Sequence, residues 1–508
     1  MNSRFLCALF FVGGLLSSKP SHAVDGGPET SSSVENGADL ESGPPVPAAA
    51  LVAAESPTRV SSGPGVATER TKGSVMGIVG CLLLVGCALL LSEVRRKIPW
   101  RTVAIGFLLQ IVFAVFVLKT AAGRALFDAA NGVVKTLLSF SQEGARFLFG
   151  NLAGMSVPVT DGTGAALGLV AKTGALMAFS VLPTIVFFSM LSAVLNPLGV
   201  LQRVVQVLGF VMRRAMGTSG AESLAAAANI FLGQTESPLL VRPFLPTMTR
   251  SELMALMTGG FATVAGGVMA AYVGMLEGRF PDIAGHLVAA SVMSAPASLV
   301  IAKIMVPETE VPTTREGAVV HVQRTDANLL DAASRGTSEG LTLALNVGAM
   351  LIAFTALIPL VNWLLQSPGV LCAWVGLSGG AAFFEALSLQ SLFGALFAPL
   401  AFLLGVPWAD AGLVGSLMGT KTVINEFVAY LQLSSALEAG QLHDPRSVVI
   451  ATYALCGFSN FASIGIQLGG LAVIAPERRA ALAALGLRAM IGASLACFLT
   501  GAIAGVLL

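Results

Sequence analysis

The feature that most restricts this chain is a series of apolar blocks, each about 20 residues long, the length at which a helix crosses a hydrocarbon core roughly 30 Å thick. Each block is therefore a candidate transmembrane helix. Of the 508 residues, 55% are hydrophobic and 11% are charged, whereas a soluble domain carries roughly 25% charged residues. The sequence predicts a polytopic membrane protein.

The blocks predict eight spans with both ends of the chain outside the cytoplasm. A basic turn from Arg95 to Arg101 separates the first two spans, and such turns favour the cytoplasmic side of a membrane, which leaves the N-terminus extracytoplasmic. Residues 122–150 carry charges among spaced Leu and Phe, a pattern typical of an amphipathic surface helix. The spans are expected at residues 74–92, 102–119, 173–195, 251–277, 285–306, 338–364, 447–474 and 481–506.

The start of the chain resembles a secretory signal peptide of 23 residues. Arg4 precedes an apolar stretch that ends at Leu16, and the small residues up to Ala23 resemble a cleavage site. Residues 24–71 are rich in Ser, Gly, Pro, Ala and Glu without periodicity. We expect them to form a disordered extracytoplasmic segment, because they offer too little apolar surface to bury.

Charge, histidine and cysteine content argue against two other classes of protein. The net charge of +1 comes without a basic patch interleaved with aromatic residues, so no nucleic acid is expected as a partner. The four histidines are scattered, and the six cysteines include no CxxC pair. A metalloenzyme is therefore not indicated.

Two polar segments inside the apolar sequence predict an inverted repeat. They are NIFLGQTE at 229–236 and GTKTVINEFVAY at 419–430, and each is followed by an Arg-Ser step and a long apolar stretch. GFAT at 260–263 in the first copy matches GFSN at 457–460 in the second. Because a single span, near 338–364, separates the copies, they are expected to enter the membrane from opposite faces.

The two polar segments are typical of secondary transporters, in which broken helices present backbone groups to a solute and an ion at the membrane midplane. Irregular backbone at that depth is tolerated only where it lines a cavity or is buried in protein. The predicted fold is an all-α polytopic membrane protein with about eight transmembrane helices and two re-entrant helical hairpins. The expected parts are a signal peptide (1–23), an extracytoplasmic segment (24–71), an N-terminal transmembrane scaffold region (72–197), a first repeat (198–306), a cytoplasmic loop with a scaffold span (307–366) and a second repeat (367–508).

Glu236 and Glu426 are the most informative side chains, because a carboxylate inside a membrane is costly without a partner or a cavity. In a structural interpretation, each glutamate pairs with a helix terminus or with Lys421. The other interpretation is functional, with both accepting hydrogen bonds from hydroxyl or ring N–H groups of a solute. The polar set contains no Arg or Lys, so a neutral polyol or nucleobase is favoured over an anion. Its other members are Gln234, Thr235, Asn460 and Ser463.

A cation site is predicted beside the first polar segment. Asn229 offers a side-chain carbonyl and Thr263 a hydroxyl. Backbone carbonyls are freed nearby, where the chain is expected to break at Gly233 and at Gly266-Gly267. All-oxygen coordination suits a hard cation such as Na+. The alternative is that Asn229 only caps a hairpin helix, and the repeat favours the ion site.

The sequence around these residues resembles that of the concentrative nucleoside transporter family, over residues 74–506 in segment order. The resemblance implies inward transport of nucleosides against their gradient, driven by Na+ or H+. It also implies a homotrimer in which a transport domain moves against a fixed scaffold. The segments that carry it are GQTESPLLVRPFLPTMTRSE (233–252), NEFVAY (425–430), YALCGFSNFASIGIQLGG (453–470) and APERR (475–479).

The resemblance also implies a role for each candidate residue. Those implied at the nucleobase are Gly233 at the hairpin tip, Gln234, Thr235, Glu236 and Val268. Those implied at the ribose and the pocket wall are Glu426, Asn460, Ser463 and Phe458. Those implied at a sodium ion are Asn229 and Thr263 through their side chains, and Leu232 and Val264 through their backbone carbonyls.

The predicted function is that of a sodium-coupled nucleoside symporter with uridine and adenosine among its substrates. We expect it to lie in the plasma (inner) membrane, surrounded by lipid, and to work by an elevator-type alternating-access mechanism. A proton-coupled symporter of the same family is the alternative. An enzyme with Glu236 and Glu426 as acid and base would need a nucleophile, metal or cofactor motif, and the sequence offers none. A passive channel gives no reason for two matched hairpins.

Overall fold

The computed structural model describes residues 64–154, 156–160, 163, 166–172, 177–195, 199–315 and 327–508. The expected signal peptide and the part of the 24–71 segment up to residue 63 lie outside the described residues. Almost every regular element that is described is an α-helix. This agrees with the apolar blocks, whose backbone polar groups are satisfied inside a membrane only by helices or closed barrels.

The N-terminal part consists of long helices joined by short turns. The basic turn after the first helix is a 3-10 turn at Arg95–Lys97, and a second such turn lies at Gly150–Ala153. The predicted surface segment is one continuous helix, and it is not among the helices apolar enough to span a membrane. The helices are α1 (Pro64–Leu90), α2 (Trp100–Lys119), α3 (Ala121–Phe149), α4 (Met177–Ser180) and α5 (Leu182–Leu195).

A short antiparallel strand pair is the departure from an all-α fold within the described ranges. It consists of β1 (Ser156–Thr160) and β2 (Ala166–Lys172), with Ser156 opposite Lys172. The apolar pattern predicts no strand here. The local sequence explains the pair, because β-branched Val and Thr flank the turn-forming sequence Asp-Gly-Thr-Gly, which favours a hairpin.

A first group of helices carries the first polar segment. A turn region at 229–236 separates its two short helices, and residues 263–265 interrupt a long helix. A continuous long helix completes the group. The helices are α6 (Val200–Met216), α7 (Gly220–Ala228), α8 (Ser237–Leu240), α9 (Arg250–Ala262), α10 (Gly266–Leu276) and α11 (Ile283–Met305), with a 3-10 turn at Leu245–Thr247.

A second group repeats this order after a 46-residue helix and a bent helix pair. Residues 424–425 separate two helices, residues 456–460 interrupt the next, and a long helix ends the chain. The helices are α12 (Leu329–Trp374), α13 (Ser378–Glu385), α14 (Leu389–Leu403), α15 (Trp408–Val423), α16 (Glu426–Glu438), α17 (Pro445–Leu455), α18 (Phe461–Ile474) and α19 (Arg479–Leu507), with a 3-10 turn at Pro476–Arg478.

The candidate spans agree with the predicted number. Within the described ranges, seven helical segments are long and apolar enough to cross a membrane, and there are eight if α13 and α14, which are bent by 77°, count as one span. The prediction of an all-α polytopic membrane fold is confirmed. The seven segments are Gly73–Leu90, Trp100–Lys119, Ala178–Leu195, Arg250–Leu276, Ile283–Met305, Leu329–Trp374 and Pro476–Leu507.

Two expected spans have other boundaries in the structure, and one apolar segment was not among the expected spans. The expected span at 447–474 is two helices, because the chain leaves the helical conformation at 456–460. The expected span at 338–364 is the middle of the longer α12, since the apolar window marks only the membrane-length part of that helix. The apolar segment of α13 and α14 has no counterpart among the expected spans, because its bend divides it into pieces of 8 and 15 residues.

Burial separates inner helices from outer ones. In α11, 89% of the span is buried inside the protein, against 11% in α12. The inner helices are rich in Ala, Gly and Ser, which let helix backbones approach closely where no hydrophobic effect drives association. The inner helices also carry the helix breaks, so the irregular backbone is buried in protein.

Glu93 holds the turn between α1 and α2 against two inner helices. Its carboxylate accepts hydrogen bonds of 2.8 and 3.2 Å from Arg250, at the start of α9. Arg488, in α19, lies 3.4 Å from the same carboxylate. The hydrogen bonds from Arg250 lower the pKa of Glu93 below its ordinary value.

This carboxylate makes folding stability depend on pH. A carboxyl group with a lowered pKa stabilises the folded state above its unfolded pKa of about 4.3, and that contribution is lost as pH falls through the folded pKa. We expect acidification to lower the melting temperature of the purified protein, and we expect Glu93→Gln to remove part of that change. The part is small, because a partly exposed ion pair contributes about 1 kcal/mol or less to the free energy of unfolding. Thermal unfolding of both proteins at neutral and acidic pH checks this, and identical pH dependence would contradict it.

Candidate functional site

The helix pair α7 and α8, called the first hairpin below, is separated where the sequence changes from alanine-rich to polar. α7 ends with Asn229 as its C-cap, and residues 229–236 form turns. α8 restarts at Ser237 and is followed at once by Pro238, a residue favoured in the first turn of a helix. The polar side chains between the two helices therefore lie on turns.

The helix pair α15 and α16, called the second hairpin below, is separated by two residues, 424 and 425. α15 ends at Val423, and the side chain of Asn425 caps the next helix by accepting a hydrogen bond of 2.8 Å from the N–H of Val428. α16 therefore begins at Glu426. The carboxylate of this residue lies at the N-terminal end of the helix, where the helix dipole favours negative charge.

A long broken helix follows each hairpin. The first break lies between Ala262 and Gly266, and the second between Leu455 and Asn460. Asn460 is the N-cap of α18, and its Oδ1 accepts a hydrogen bond of 2.9 Å from the N–H of Ser463. The breaks free backbone groups that a continuous helix would pair within itself.

Gly457 makes the second break possible. Its φ of +124° lies in a region that side chains disfavour. A Cβ at this position would lie 2.8 Å from the carbonyl oxygen of Ala262 and 2.8 Å from Sγ of Cys497. Because Ala262 ends α9, the two broken helices meet at this glycine without room for a methyl group.

We expect Gly457→Ala to lower the free energy of unfolding by about 1–3 kcal/mol, the usual cost of a strained backbone conformation. Gly465→Ala in α18 is the matched control, because a Cβ there meets no atom within 4 Å and alanine favours a helix. Thermal unfolding of the purified variants measures the difference. Equal melting temperatures for the two variants would contradict the packing described here.

A cavity of about 160 Å³ lies between the two hairpin breaks and the second broken helix. All nine residues that the sequence proposes for substrate binding line it, although they come from separate parts of the chain. The cavity is therefore the candidate functional site. These residues are Gly233, Gln234, Thr235, Glu236, Val268, Glu426, Phe458, Asn460 and Ser463.

Glu426 is held in the cavity wall by two donors. The hydroxyl of Tyr272 donates to Oε1 at 2.9 Å, and Nδ2 of Asn460 donates to Oε2 at 2.8 Å. All three residues are buried. A carboxylate offers about four acceptor positions, so Glu426 keeps capacity for hydroxyl groups of a ligand.

The first hairpin presents acceptors that are less well satisfied. Oε2 of Glu236 accepts one long hydrogen bond of 3.4 Å, from the N–H of Gly233. Oε1 of Gln234 is buried without a partner among the described residues. Leaving a buried polar group unpaired costs about 1–3 kcal/mol, so a ligand that donates N–H or O–H groups here would relieve that cost.

The apolar wall includes residues from α12 that sequence patterns do not single out. They are Leu343, Val347, Met350 and Leu351. An apolar residue that faces a cavity has the same type and spacing as one that faces lipid, so periodicity cannot distinguish them. No sequence signal available here would have identified these four.

Tyr272 is a further residue that the sequence patterns did not single out, and here a signal exists. The chain contains only three tyrosines, and Tyr272, Tyr430 and Tyr453 are all fully buried. A buried tyrosine usually needs a hydrogen-bond partner for its hydroxyl group. Rare tyrosines inside apolar segments therefore indicate a polar centre.

Asn229 and Thr263, the two proposed side-chain ligands of a cation, lie beside the last turn of α9. Oγ1 of Thr263 donates to the carbonyl of Gly259 at 2.9 Å. Nδ2 of Asn229 lies 2.9 Å from the position that a Cβ on Gly259 would take. This amide nitrogen is buried without a partner in the described part of the chain.

The two proposed backbone ligands, Leu232 and Val264, lie at breaks in the chain. No N–H group or hydroxyl of the described residues donates to either carbonyl oxygen. The N–H of Gly266 donates to the carbonyl of Phe231 at 3.1 Å and so ties the hairpin turn to the broken helix. These two carbonyl oxygens, with the remaining lone pairs of the Asn229 amide oxygen and the Thr263 hydroxyl, fit a hard cation such as Na+ at the negative end of α9.

The structural alternatives for these side chains are partly present. Asn229 is a C-cap, and its Oδ1 accepts a hydrogen bond from the hydroxyl of Ser237, so this side chain has a structural contact as well as an oxygen lone pair for an ion. The ammonium group of Lys421 donates to the carbonyl of Ala454 at 2.9 Å. It forms no ion pair with Glu426 within 4.0 Å, so the expected alternative of a direct pair is not seen.

Three protein-family models match the chain. One described as "Na+ dependent nucleoside transporter C-terminus" matches residues 286–505, and one described as "Na+ dependent nucleoside transporter N-terminus" matches residues 79–152. A third, described as "Nucleoside recognition", matches residues 178–279. The matches include both hairpins and both broken helices.

Known proteins are similar over most of the chain. An uncharacterized transporter of Haemophilus influenzae is 43% identical over 84% of this chain and 96% of its own length. Mouse solute carrier family 28 member 3 is 40% identical over 85% of this chain and 58% of its own length. The solved structure of CNTnw in an inward-facing substrate-bound state is 40% identical, has a TM-score of 0.75, and covers 86% of this chain and 98% of that chain.

Proposed function

The chain belongs to the concentrative, Na+-dependent nucleoside transporter family, and on that premise we propose that it is a sodium-coupled symporter that takes nucleosides into the cell against their gradient. Members of the family are membrane transporters and not enzymes. Nucleoside transport follows from membership. Coupling to sodium, the inward direction and the roles of single residues are our proposals.

The observation that carries the substrate proposal is the Glu426 carboxylate in the wall of the cavity. No Lys or Arg is among the described residues that line the cavity, so the site favours a neutral ligand rich in donors. We assign the ribose hydroxyl groups to Glu426, Asn460 and Ser463. The nucleobase is assigned to the first hairpin, from Gly233 to Glu236, with Val268 and Phe458 packing against the ligand.

The sodium proposal rests on the oxygen atoms around the last turn of α9. Asn229 and Thr263 would bind Na+ through their side chains, and Leu232 and Val264 through their carbonyl groups. Since Leu232 and Gly233 are consecutive, an ion bound there orders the same turn that carries the nucleobase contacts. Sodium binding would therefore raise nucleoside affinity by fixing the hairpin tip.

We propose an elevator-type mechanism, in which the buried helices around the cavity move as one body against outer helices such as α12. One positive charge that enters down about 100 mV releases about 2.3 kcal/mol. That energy supports an accumulation of some tens-fold, at about 1.4 kcal/mol per tenfold. The proposed orientation, with the N-terminus extracytoplasmic, follows from the basic turn between α1 and α2.

We also propose a homotrimer in a plasma membrane. Support comes from α12, which exposes large apolar side chains including Ile352 and Trp363. An apolar surface of that extent is typical of contact with lipid or with another copy of the chain. Crosslinking of the protein in native membranes, followed by mass measurement, distinguishes a trimer from a monomer.

Uptake into liposomes tests the proposed function. The purified protein is reconstituted, and uptake of radiolabelled uridine and adenosine is followed with an inward Na+ gradient, an inward H+ gradient, or neither. Accumulation above the external concentration with Na+ alone supports the proposal. Accumulation with H+ alone would replace sodium by protons, and equilibration without a gradient would contradict symport.

A further inference from the structure

Lys421 is a cation buried in the membrane region that nucleoside binding and sodium coupling leave without a role. Its side chain is fully buried. Nζ donates to the carbonyl of Ala454 at 2.9 Å and lies 5.6 Å from the ring centroid of Phe498. A buried ammonium group is costly unless partners compensate it, so this position needs an explanation.

The carbonyl that Lys421 contacts belongs to the last turn of α17. That turn ends at the second helix break, where carbonyl groups lose their helical partners. The hydroxyl of Tyr430 donates to the carbonyl of Thr452 at 2.8 Å, and Sγ of Cys497 donates to that of Cys456 at 2.7 Å. The end of α17 is thus a cluster of carbonyl oxygens with partial negative charge, which favours a cation.

The first half of the chain has the same arrangement without a lysine. α9 also ends at a break, and its last turn faces Asn229 from the preceding hairpin. Asn229 lies seven residues before Glu236, and Lys421 lies five residues before Glu426. In the first half, the hairpin supplies a neutral amide, and no donor among the described residues pairs with the carbonyl oxygens of Leu232 and Val264. In the second half, the hairpin supplies an ammonium group.

We propose that the ammonium group of Lys421 is a tethered cation that does in the second half what a bound sodium ion does in the first: it neutralises the end of the broken helix and supports the carboxylate of the hairpin. This inference rests on the proposed sodium site. Lys421 and Glu426 stand on either side of the break at residues 424–425 and form no direct ion pair, so the proposed support acts through space. The second half therefore needs no mobile ion to bind the ribose end of a nucleoside.

The variant Lys421→Met tests this, because methionine keeps an unbranched apolar chain and removes the charge. Nucleoside binding to the purified protein is measured by equilibrium titration over a matrix of Na+ concentrations and pH values. We expect affinity to fall at least about tenfold and to depend more steeply on Na+ or on protons than in the natural chain, since a mobile cation must replace the tethered one. The neighbouring titratable groups are Tyr430 and Cys497, which donate to carbonyl groups at the end of α17, Cys456 at that end, and Glu426 with its partner Tyr272 beyond the hairpin break.

Two results would overturn the proposal: unchanged nucleoside affinity in Lys421→Met, or a loss of the same size at every Na+ concentration and pH, as a packing defect would give. A second measurement holds even if the variant does not fold. In liposomes with the natural chain, simultaneous fluxes of labelled Na+ and nucleoside should give one Na+ per nucleoside, and a ratio of two would contradict a second half that needs no ion. If the natural chain binds no nucleoside at all, the proposed function fails instead.

Discussion

Replacing Glu426 by Gln is expected to abolish concentrative nucleoside uptake. The carboxylate accepts hydrogen bonds from both Tyr272 and Asn460, whereas a glutamine side chain has one acceptor oxygen and one NH2 group. The negative charge and one acceptor oxygen would be lost, and the Tyr272 hydroxyl would have to accept a hydrogen bond from the NH2 group and leave its own proton without an acceptor. A hydrogen bond to a charged group contributes about 1.5–3 kcal/mol, and the hydrogen bonds from the nucleoside to this side chain would weaken as well. We therefore expect the nucleoside affinity to fall about a hundredfold.

Glu438→Gln is the matched control, because Glu438 ends the same helix, α16, and is exposed. Uptake of labelled nucleoside into liposomes, normalised to the amount of folded protein, compares the two variants. The control should retain uptake close to that of the natural chain. Wild-type accumulation in Glu426→Gln would remove Glu426 from the substrate site.

Replacing Thr263 by Val is expected to raise the Na+ concentration needed for half-maximal uptake by about 10- to 100-fold. The substitution keeps the shape of the side chain and removes one oxygen ligand, whose interaction with a charge is worth about 1.5–3 kcal/mol. At saturating Na+ the nucleoside affinity should return towards that of the natural chain. That recovery separates an ion-site defect from a damaged substrate site.

Thr258→Val is the control for this variant. Thr258 lies in α9, the helix that Thr263 caps, is fully buried, and its hydroxyl has no partner among the described residues. Its removal should leave the Na+ dependence of uptake unchanged. If both variants shift the Na+ dependence equally, Thr263 has no special relation to the ion.

The polar residues of the site could be predicted from the sequence because the membrane makes them conspicuous. Glu236 and Glu426 stand in segments where charge is costly, and the match between GFAT and GFSN places each beside a helix break. The same argument led to Asn460 and Ser463. All of them line one cavity, so spacing around rare polar residues was sufficient to group them.

Features that depend on packing could not be predicted in this way. The wall formed by Leu343 and Val347 has no polar marker, and the contact at Gly457 depends on how α9 and α17 meet. The contact of Lys421 depends on packing too. An ion pair with a glutamate was only the structural alternative in the sequence analysis, and the folded chain turns the ammonium group towards the carbonyl of Ala454.

The most direct test of this account is the effect of sodium on nucleoside binding to the purified protein. Titration calorimetry measures uridine or adenosine affinity at a series of Na+ concentrations, with choline keeping the ionic strength constant. Because linked binding is reciprocal, Na+ should raise nucleoside affinity by the factor by which nucleoside raises Na+ affinity. Nucleoside binding of equal affinity with and without Na+ would contradict a sodium ion that orders the first hairpin.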